Sequence, residues 1–125
     1  MSSTAAAQDV PMAMEQIISD KIIVLPGASA DGSAATFQVK NEDHTLGNAL
    51  RHIIMGNPEV EFCGYSIPHP SETKMNIRIQ TYGAITAIEA LRAGLEQLVA
   101  VCDHAEAVFR QQVMEKNYTE DKSLD

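Results

Sequence analysis

The sequence predicts an α+β fold, in which a four-stranded antiparallel sheet carries one short and one long helix on a single face. The apolar residues predict elements in the order ββαββα, because strand-like runs and helix-like periods follow one another in that order. Residues 74–81 alternate between apolar and polar side chains, as a strand does when one face is buried and the other is wet. From about residue 84 to residue 116, apolar residues recur at helical spacing.

The chain of 125 residues has the length of one ordinary domain, and 45 % of its residues are hydrophobic, which is enough for a core. We expect that domain at residues 21–116. The small and polar residues 1–20 predict a flexible N-terminal tail, and the polar residues 117–125 predict a C-terminal tail.

The first two strands are expected at residues 22–25 and 36–39, where β-branched and aromatic residues are concentrated. Pro26 and Gly27 end the first strand, and a loop of small residues leads to the second. The two strands therefore predict a hairpin, with a loop longer than the commonest ones.

A short helix is expected next. Asp43 or Thr45 can be its N-cap, accepting a hydrogen bond from a backbone N–H group of the first turn. Gly56 suits a left-handed position just after the last turn, and Pro58 follows it. One apolar face recurs at helical spacing, through Leu46, Ala49, Leu50, Ile53 and Ile54.

The last two strands are expected at residues 60–67 and 74–81. In the earlier one, Val60 and Phe62 share one parity, whereas the apolar residues beyond Gly64 have the opposite parity. We therefore expect a bulge or twist at Gly64, which would turn the later side chains toward the core.

The long helix is expected to extend beyond the sheet. It is about 50 Å long at 1.5 Å per residue, whereas four strands spaced about 4.8 Å apart give a sheet only ~19 Å across. Its apolar stripe nevertheless continues to Phe109 and Val113. The second half must therefore bury its stripe against another surface, for which a helix of another chain is the best candidate.

The charge and the cysteines narrow the functional class. With 9 Lys and Arg against 17 Asp and Glu, the net charge is −8, so direct nucleic-acid binding, which needs a basic face, is not expected. No apolar run is long enough to span a bilayer, and residues 1–20 lack the pattern of a signal peptide. Cys63 and Cys102 form no C-x-x-C pair, which favours buried thiols in a reduced intracellular compartment.

No catalytic residue, cofactor or metal site is expected. Glu42, Asp43 and His44 are adjacent, so they do not converge on one ion, and no ligand pair with metal-site spacing accompanies them. Helix capping and solvated charge explain them better. The alternative is an enzyme or ligand-binding domain that uses Asp43, His44 and Cys63. Arg51, the only cation of the short helix, fits either a solvated charge or a docking contact.

One motif resembles a known family. The segment His44-Thr45-Leu46-Gly47-Asn48-Ala49-Leu50-Arg51 resembles the helix-opening motif in the α-subunit amino-terminal domain of cellular RNA polymerases. Extended by Glu42-Asp43, it is similar to archaeal subunit L and the small eukaryotic α-like subunits. The resemblance covers about residues 35–112. Residues 51–65 and His69-Pro70-Ser71-Glu72 look most like the small α-like subunit shared by RNA polymerases I and III, with the RNA polymerase II counterpart as the alternative.

The resemblance implies a non-catalytic assembly subunit of DNA-directed RNA polymerase, without a cofactor, in the nucleus and nucleolus. Such a chain pairs with a larger α-like chain. The pair then docks the two largest subunits, which hold the catalytic magnesium and the nucleic acid and transcribe rRNA, 5S rRNA and tRNA. A further alternative is a homodimer built on the same helices, as in bacterial α.

The resemblance also implies which residues meet each partner. Asn48 and Arg51 would face the second-largest subunit, and Asp43 or Thr45 would cap the helix. His52 stands where the bacterial motif has a second arginine, so docking by that position is not implied. The core shared with the larger α-like chain would contain Leu46, Leu50, Ile53, Ile54, Leu91, Leu95, Leu98 and Phe109.

Overall fold

The computed structural model describes residues 19–116 and 118–124, and their element order confirms the predicted ββαββα arrangement. Most of the expected tail at 1–20 lies outside the described residues, and the domain limits stay a prediction. The elements are β1 Ile22–Val24, β2 Ala34–Lys40, α1 His44–Met55, β3 Val60–Ser66, β4 Lys74–Thr81 and α2 Ala87–Glu115, and a short 3₁₀ turn follows at Lys122–Leu124.

The four strands form one antiparallel sheet in the order β1-β2-β4-β3. β1 pairs with β2 through Ile22 opposite Val39, which confirms the predicted hairpin. β4 lies between β2 and β3. After β2 the chain therefore passes through α1 and β3 before it reaches β4, the strand that pairs with β2. β1 and β3 are the two edge strands.

The core lies between one face of the sheet and the facing sides of both helices, as predicted. Every second side chain of β2 and β4 is buried, because alternate residues of a strand point to opposite faces. Helix α2 adds Ala87, Ala90 and Leu91 to this core. The largest fully buried side chains come from β2, α1 and β4, namely Phe37, Leu50, Ile54, Met75, Ile77 and Ile79.

Two glycines allow the helices to approach their neighbours closely. A Cβ atom at Gly47 would lie 2.7 Å from ring carbons of Tyr65 and 2.9 Å from the sulfur of Met75. A Cβ atom at Gly94 would lie 2.5 Å from Cγ1 of Ile54. Gly47 therefore sets how closely α1 lies on β3 and β4, and Gly94 sets the distance between the two helices.

Helix α1 begins as predicted but ends differently. Asp43 is the N-cap, and its Oδ1 accepts a hydrogen bond from the Thr45 N–H group at 2.9 Å. Gly56 is right-handed, with φ −74° and ψ −13°, so the predicted left-handed conformation is wrong. Its N–H group donates to the Ile53 carbonyl at 3.1 Å, so the last turn closes without a left-handed residue.

The irregularity in β3 lies nearer its start than predicted. The register with β4 shifts between Val60 and Phe62, not at Gly64. The additional residue, Glu61, turns Phe62 to the opposite face from Val60, so Val60 is buried and Phe62 is 46 % exposed. The prediction that these two side chains share a face is therefore wrong, and Cys63 takes the buried position instead.

Helix α2 begins at Ala87, three residues later than the periodicity predicted. Thr86 is its N-cap and forms a capping box, because its Oγ1 accepts from the Glu89 N–H group while Glu89 accepts from the Thr86 N–H group. This Thr-x-x-Glu spacing is visible in the sequence and marks the true start. The helix ends at Lys116, which adopts the left-handed conformation with φ 51°.

Candidate protein-interaction surfaces

The second half of α2 extends into solvent. The helix has 29 residues and is therefore about 43 Å long. Its buried residues, Ala87, Ala90, Leu91 and Gly94, all lie in the first half. Leu98 is half-buried, and every residue from Val99 to Lys116 is exposed. The predicted mismatch between a short sheet and a long helix is confirmed.

The extended half carries an apolar surface, which we call the α2 stripe. Phe109 is 70 % exposed, and the neighbouring valines are also in water. Side chains three and four residues apart share one side of a helix, so these residues form a continuous band. The α2 stripe comprises Leu95, Leu98, Val101, Cys102, Ala105, Val108, Phe109 and Val113.

The structure divides the eight residues predicted for the partner interface. Leu50, Ile54 and Leu91 are at most 3 % exposed and lie in the chain's own core, so they offer no surface to a partner. This part of the prediction is corrected, because helical period identifies an apolar side without telling which neighbour covers it. Five of the predicted residues keep exposed area, namely Leu46, Ile53, Leu95, Leu98 and Phe109.

Other residues of the α2 stripe were absent from the predicted interface. Val101 is 51 % exposed and Val108 is 43 % exposed. Both widen the band on one side, and their spacing of seven residues gives them the same helical position. That spacing is the sequence signal that identifies them.

A second surface lies on the solvent side of α1. Asn48 and Arg51 are both exposed there, with His52 and Met55 beside them. Arg51 forms no ion pair with any of the described residues. The side of α1 that carries these residues is therefore open to a partner.

Asp43, one of the two residues proposed as the helix cap, performs that structural role. The hydrogen bonds from Thr45 hold the pKa of Asp43 below its usual value. His44 Nδ1 lies 2.9 Å from the Tyr65 hydroxyl, and Glu42 pairs with Lys21 at 3.1 Å. Within the part of the chain that the structure describes, no three His, Cys, Asp or Glu side chains are placed to hold a metal ion.

The two cysteines differ in environment. Burial raises the pKa of the Cys63 thiol to about 11, against a smaller opposing effect of the Arg51 charge. The Cys63 thiol is therefore held in its unreactive neutral form, as expected of a buried thiol. Cys102 is exposed on the α2 stripe, so the expectation of a second buried thiol is wrong. No part of the sheet lies beneath that half of the helix.

Comparison with known proteins gives one family. Residues 34–107 match the model of the RNA polymerase Rpb3/Rpb11 dimerisation domain. The chain is 59 % identical over 102 residues to the DNA-directed RNA polymerases I and III subunit RPAC2 of Schizosaccharomyces pombe, covering 82 % of this chain and 81 % of that protein. It is also 59 % identical over 95 residues to the Saccharomyces cerevisiae protein of the same name, covering 75 % and 67 %.

Two further comparisons bear on the alternatives and the fold. A probable DNA-directed RNA polymerase II subunit RPB11 of Caenorhabditis briggsae is 40 % identical over 93 residues, covering 73 % of this chain and 76 % of that protein. The crystal structure of DNA-directed RNA polymerase subunit L from Thermoplasma acidophilum superposes with a TM-score of 0.63 at 19 % identity. It covers 79 % of this chain and 96 % of that one, and confirms the fold. Among the described residues, no helix is long and apolar enough to cross a membrane.

Proposed function

The chain belongs to the RNA polymerase Rpb3/Rpb11 dimerisation-domain family, and from this membership we propose that it is the small α-like assembly subunit of RNA polymerases I and III. It pairs with a larger α-like chain, and the pair docks the two largest subunits. The RNA polymerase II counterpart is the weaker alternative, because the relative named for that enzyme is 40 % identical, against 45–59 % for the relatives named for polymerases I and III.

The structural observation that supports pairing is the uncovered α2 stripe. Nothing within the described residues packs on the helix beyond Leu98, yet Val101, Val108 and Phe109 keep the stripe apolar. An exposed apolar band of this length marks a surface that is buried in a complex. A helix of the partner laid along it would remove these side chains from water, as in other paired long helices.

The partner is a different chain and not a second copy. The net charge is −8, so pairing two copies would bring two strongly acidic chains together. Acidic residues such as Glu106 and Glu115, which lie three residues from Phe109 and seven from Val108, border the stripe and would face like charges in a homodimer. A larger α-like chain with cations opposite these acidic residues would avoid this electrostatic repulsion.

The solvent side of α1 supplies the second contact. Asn48 and Arg51 face away from the core, and their side of α1 is separate from the α2 stripe. In the assembled enzyme these two residues contact the second-largest subunit, with the Arg51 guanidinium as the anchor. The subunit has no catalytic residue of its own and acts in the nucleus, including the nucleolus, in transcription of rRNA, 5S rRNA and tRNA.

Co-expression with the larger α-like subunit tests the proposal. We expect a stable 1:1 species by size-exclusion chromatography with light scattering, whereas the chain alone self-associates or is poorly soluble. A stable monodisperse monomer that ignores the larger subunit would contradict the proposal.

The docking contact is tested on the purified pair. Arg51→Ala should leave the heterodimer intact and weaken its capture of the second-largest subunit by about tenfold or more, the size of one lost charge-assisted hydrogen bond. His52→Ala on the same helix is the matched control and should leave capture unchanged. Equal capture by both variants would contradict a docking role for Arg51 and would show that it is only a solvated charge.

A further inference from the structure

The face of the sheet that points away from the helices forms a second, polar surface. We call it the outer sheet face. No described helix packs on it, and its side chains are half-buried or exposed. The strand registers align them in rows across the sheet: Gln38, Asn76 and Ser66 in one, and Thr36, Arg78 and Gly64 in the next.

Three cations, Lys40, Lys74 and Arg78, lie on the outer sheet face, although the chain carries −8 overall. Lys40 lies directly opposite Lys74 on the neighbouring strand, and like charges in that position are destabilising. Lys74 is paired with Glu72 at 3.3 Å, whereas Lys40 has no ion pair among the described residues. An additional carboxylate at this pair of lysines would relieve the repulsion.

Arg78 lies near the middle of the same face and has only neutral partners. Its Nη1 donates to Thr36 Oγ1 at 3.3 Å, and its Nε lies 3.5 Å from Gln80 Oε1. A guanidinium group binds a carboxylate through two parallel hydrogen bonds when one is available. None of the described acidic side chains forms an ion pair with Arg78.

An apolar contact point lies beside Arg78. The Phe62 ring lies over Gly64, since a Cβ atom at Gly64 would be 2.8 Å from its Cζ atom. Gly64 is directly opposite Arg78, so the ring and the guanidinium group are neighbours. Phe62 is 46 % exposed and borders a shallow depression of about 430 Å³ that Arg78 and Asn76 also line.

We propose that the outer sheet face binds an extended acidic segment of another protein. One carboxylate of the segment pairs with Arg78, another lies at Lys40 and Lys74, and an apolar side chain contacts Phe62. Lys74 and Arg78 are four residues apart on one strand, which is about 14 Å. An extended segment has the same rise per residue as strand β4. Its two acidic residues must therefore also lie four positions apart, at i and i+4.

The observations favour a protein segment over single-stranded nucleic acid. Proteins that bind single strands on a sheet combine several exposed aromatic side chains with a strongly basic surface. The outer sheet face has one exposed ring, Phe62, on a chain with net charge −8. Its amide and hydroxyl side chains suit the backbone of a polypeptide. This contact is separate from the proposed heterodimer, since it uses the opposite face of the sheet from the helices.

Site-specific photo-crosslinking in the assembled complex tests the inference. Benzoylphenylalanine replaces Asn76 in the full chain, the complex is purified through a tag on that chain, and crosslinked peptides are identified by mass spectrometry. We expect a protein segment with two acidic residues four positions apart. Arg78→Glu should reduce the crosslink yield about tenfold, and Arg78→Lys should keep most of it. Gln38, whose Nε2 lies 3.3 Å from Asn76 Oδ1, is a second labelling position if the first variant does not fold.

Three outcomes would overturn the inference: a crosslink to nucleotides, a crosslinked peptide without the paired acids, and a yield that Arg78→Glu does not change. Absence of any crosslink from both positions would also overturn it. The same label at Val108 on the α2 stripe reports separately on the proposed heterodimer. A crosslink from Val108 to the larger α-like chain with none from the sheet would leave the proposed function intact.

Discussion

Gly94 shows how one residue decides the geometry of the helix pair. In an exposed helix a glycine is a weak point, because it costs backbone entropy relative to alanine. At Gly94 the missing Cβ lets α2 lie against Ile54 and Leu50 of α1. The closer packing of the two helices outweighs the lower helix propensity of glycine. Gly47 has the same effect for α1 against the ring of Tyr65 and the sulfur of Met75.

We predict that Gly94→Ala destabilises the fold. The new Cβ would lie 2.5 Å from Cγ1 of Ile54, so one helix must move, and overpacking of this kind costs about 1–3 kcal/mol. The gain in helix propensity, about 1 kcal/mol, opposes it but does not cancel it. Urea unfolding followed by circular dichroism measures the difference. The double variant Gly94→Ala, Ile54→Ala should lose less than the sum of the single variants, and simple additivity would contradict the clash.

The thiols give a second prediction at the residue scale. In the folded chain at pH 8, iodoacetamide should alkylate the exposed Cys102 and leave Cys63 unmodified, because burial raises the pKa of Cys63 to about 11. Pairing with the larger α-like chain should protect Cys102, since it lies in the α2 stripe. Mass spectrometry of tryptic peptides measures both. Equal labelling of Cys102 with and without the partner would place the stripe outside the interface.

At the scale of the element, α1 has three sides with three environments. Gly47, Leu50 and Ile54 face the core, and Leu46 and Ile53 are half-buried at its margin. The side carrying Asn48 and Arg51 is exposed. A helix of 12 residues forms only when its apolar face packs against a neighbour, so its cap and its core contacts together hold the two outer sides in place.

We predict that Asp43→Ala lowers the free energy of unfolding and that Asp43→Asn restores most of it, because asparagine keeps the acceptor for the Thr45 N–H group. The pKa of Asp43 is lowered in the folded chain. The advantage of aspartate over asparagine is therefore present above pH 3.8, the value of an unperturbed Asp, and is lost as the pH falls through the lower folded pKa. Urea titrations at several pH values check this. An Asp–Asn difference that persists at low pH would contradict it.

At the scale of the whole molecule, the sheet covers only the first half of its longest helix. The chain thus has a buried core around Phe37, Ile77 and Leu50, and an apolar surface from Leu98 to Val113 that none of its described residues covers. The two regions are continuous along α2. The partner's helix would extend the existing core, so folding and assembly would use one hydrophobic surface in two stages.

We predict that Phe109→Asp abolishes pairing with the larger α-like chain without unfolding this one. Phe109 is 70 % exposed in the free chain, so its own fold does not depend on it. In the pair an unpaired buried carboxylate costs about 3–5 kcal/mol, which weakens association by more than about a hundredfold. Ala107→Asp, on the opposite side of α2, is the control and should pair normally. Each variant is co-expressed with a tagged larger α-like chain, and the amount that co-purifies compares them. Retained pairing of Phe109→Asp would show that the interface lies elsewhere.

Sequence periodicity predicted much of the fold but only part of the site. The element order, the hairpin and the open half of α2 followed from residue spacing alone. Residue spacing did not predict which apolar residues of α1 are buried in the core and which stay at the surface. Leu46 and Leu50 are equally apolar and four residues apart, so the sequence does not distinguish them. The bulge at Glu61 was also missed, because parity in a short strand does not say where the additional residue lies.

The sequence by itself determined the order of the elements, an N-cap at Asp43 or Thr45, the excess length of α2 over the sheet and the resemblance of the α1 motif. Each is a local or additive property, set by spacing, capping chemistry or rise per residue. Only the tertiary structure decided that Leu50, Ile54 and Leu91 belong to the chain's own core while Val101, Val108 and Phe109 remain in water. Burial depends on which surfaces meet in space, and sequence spacing records the apolar side of a helix but not the neighbour that covers it.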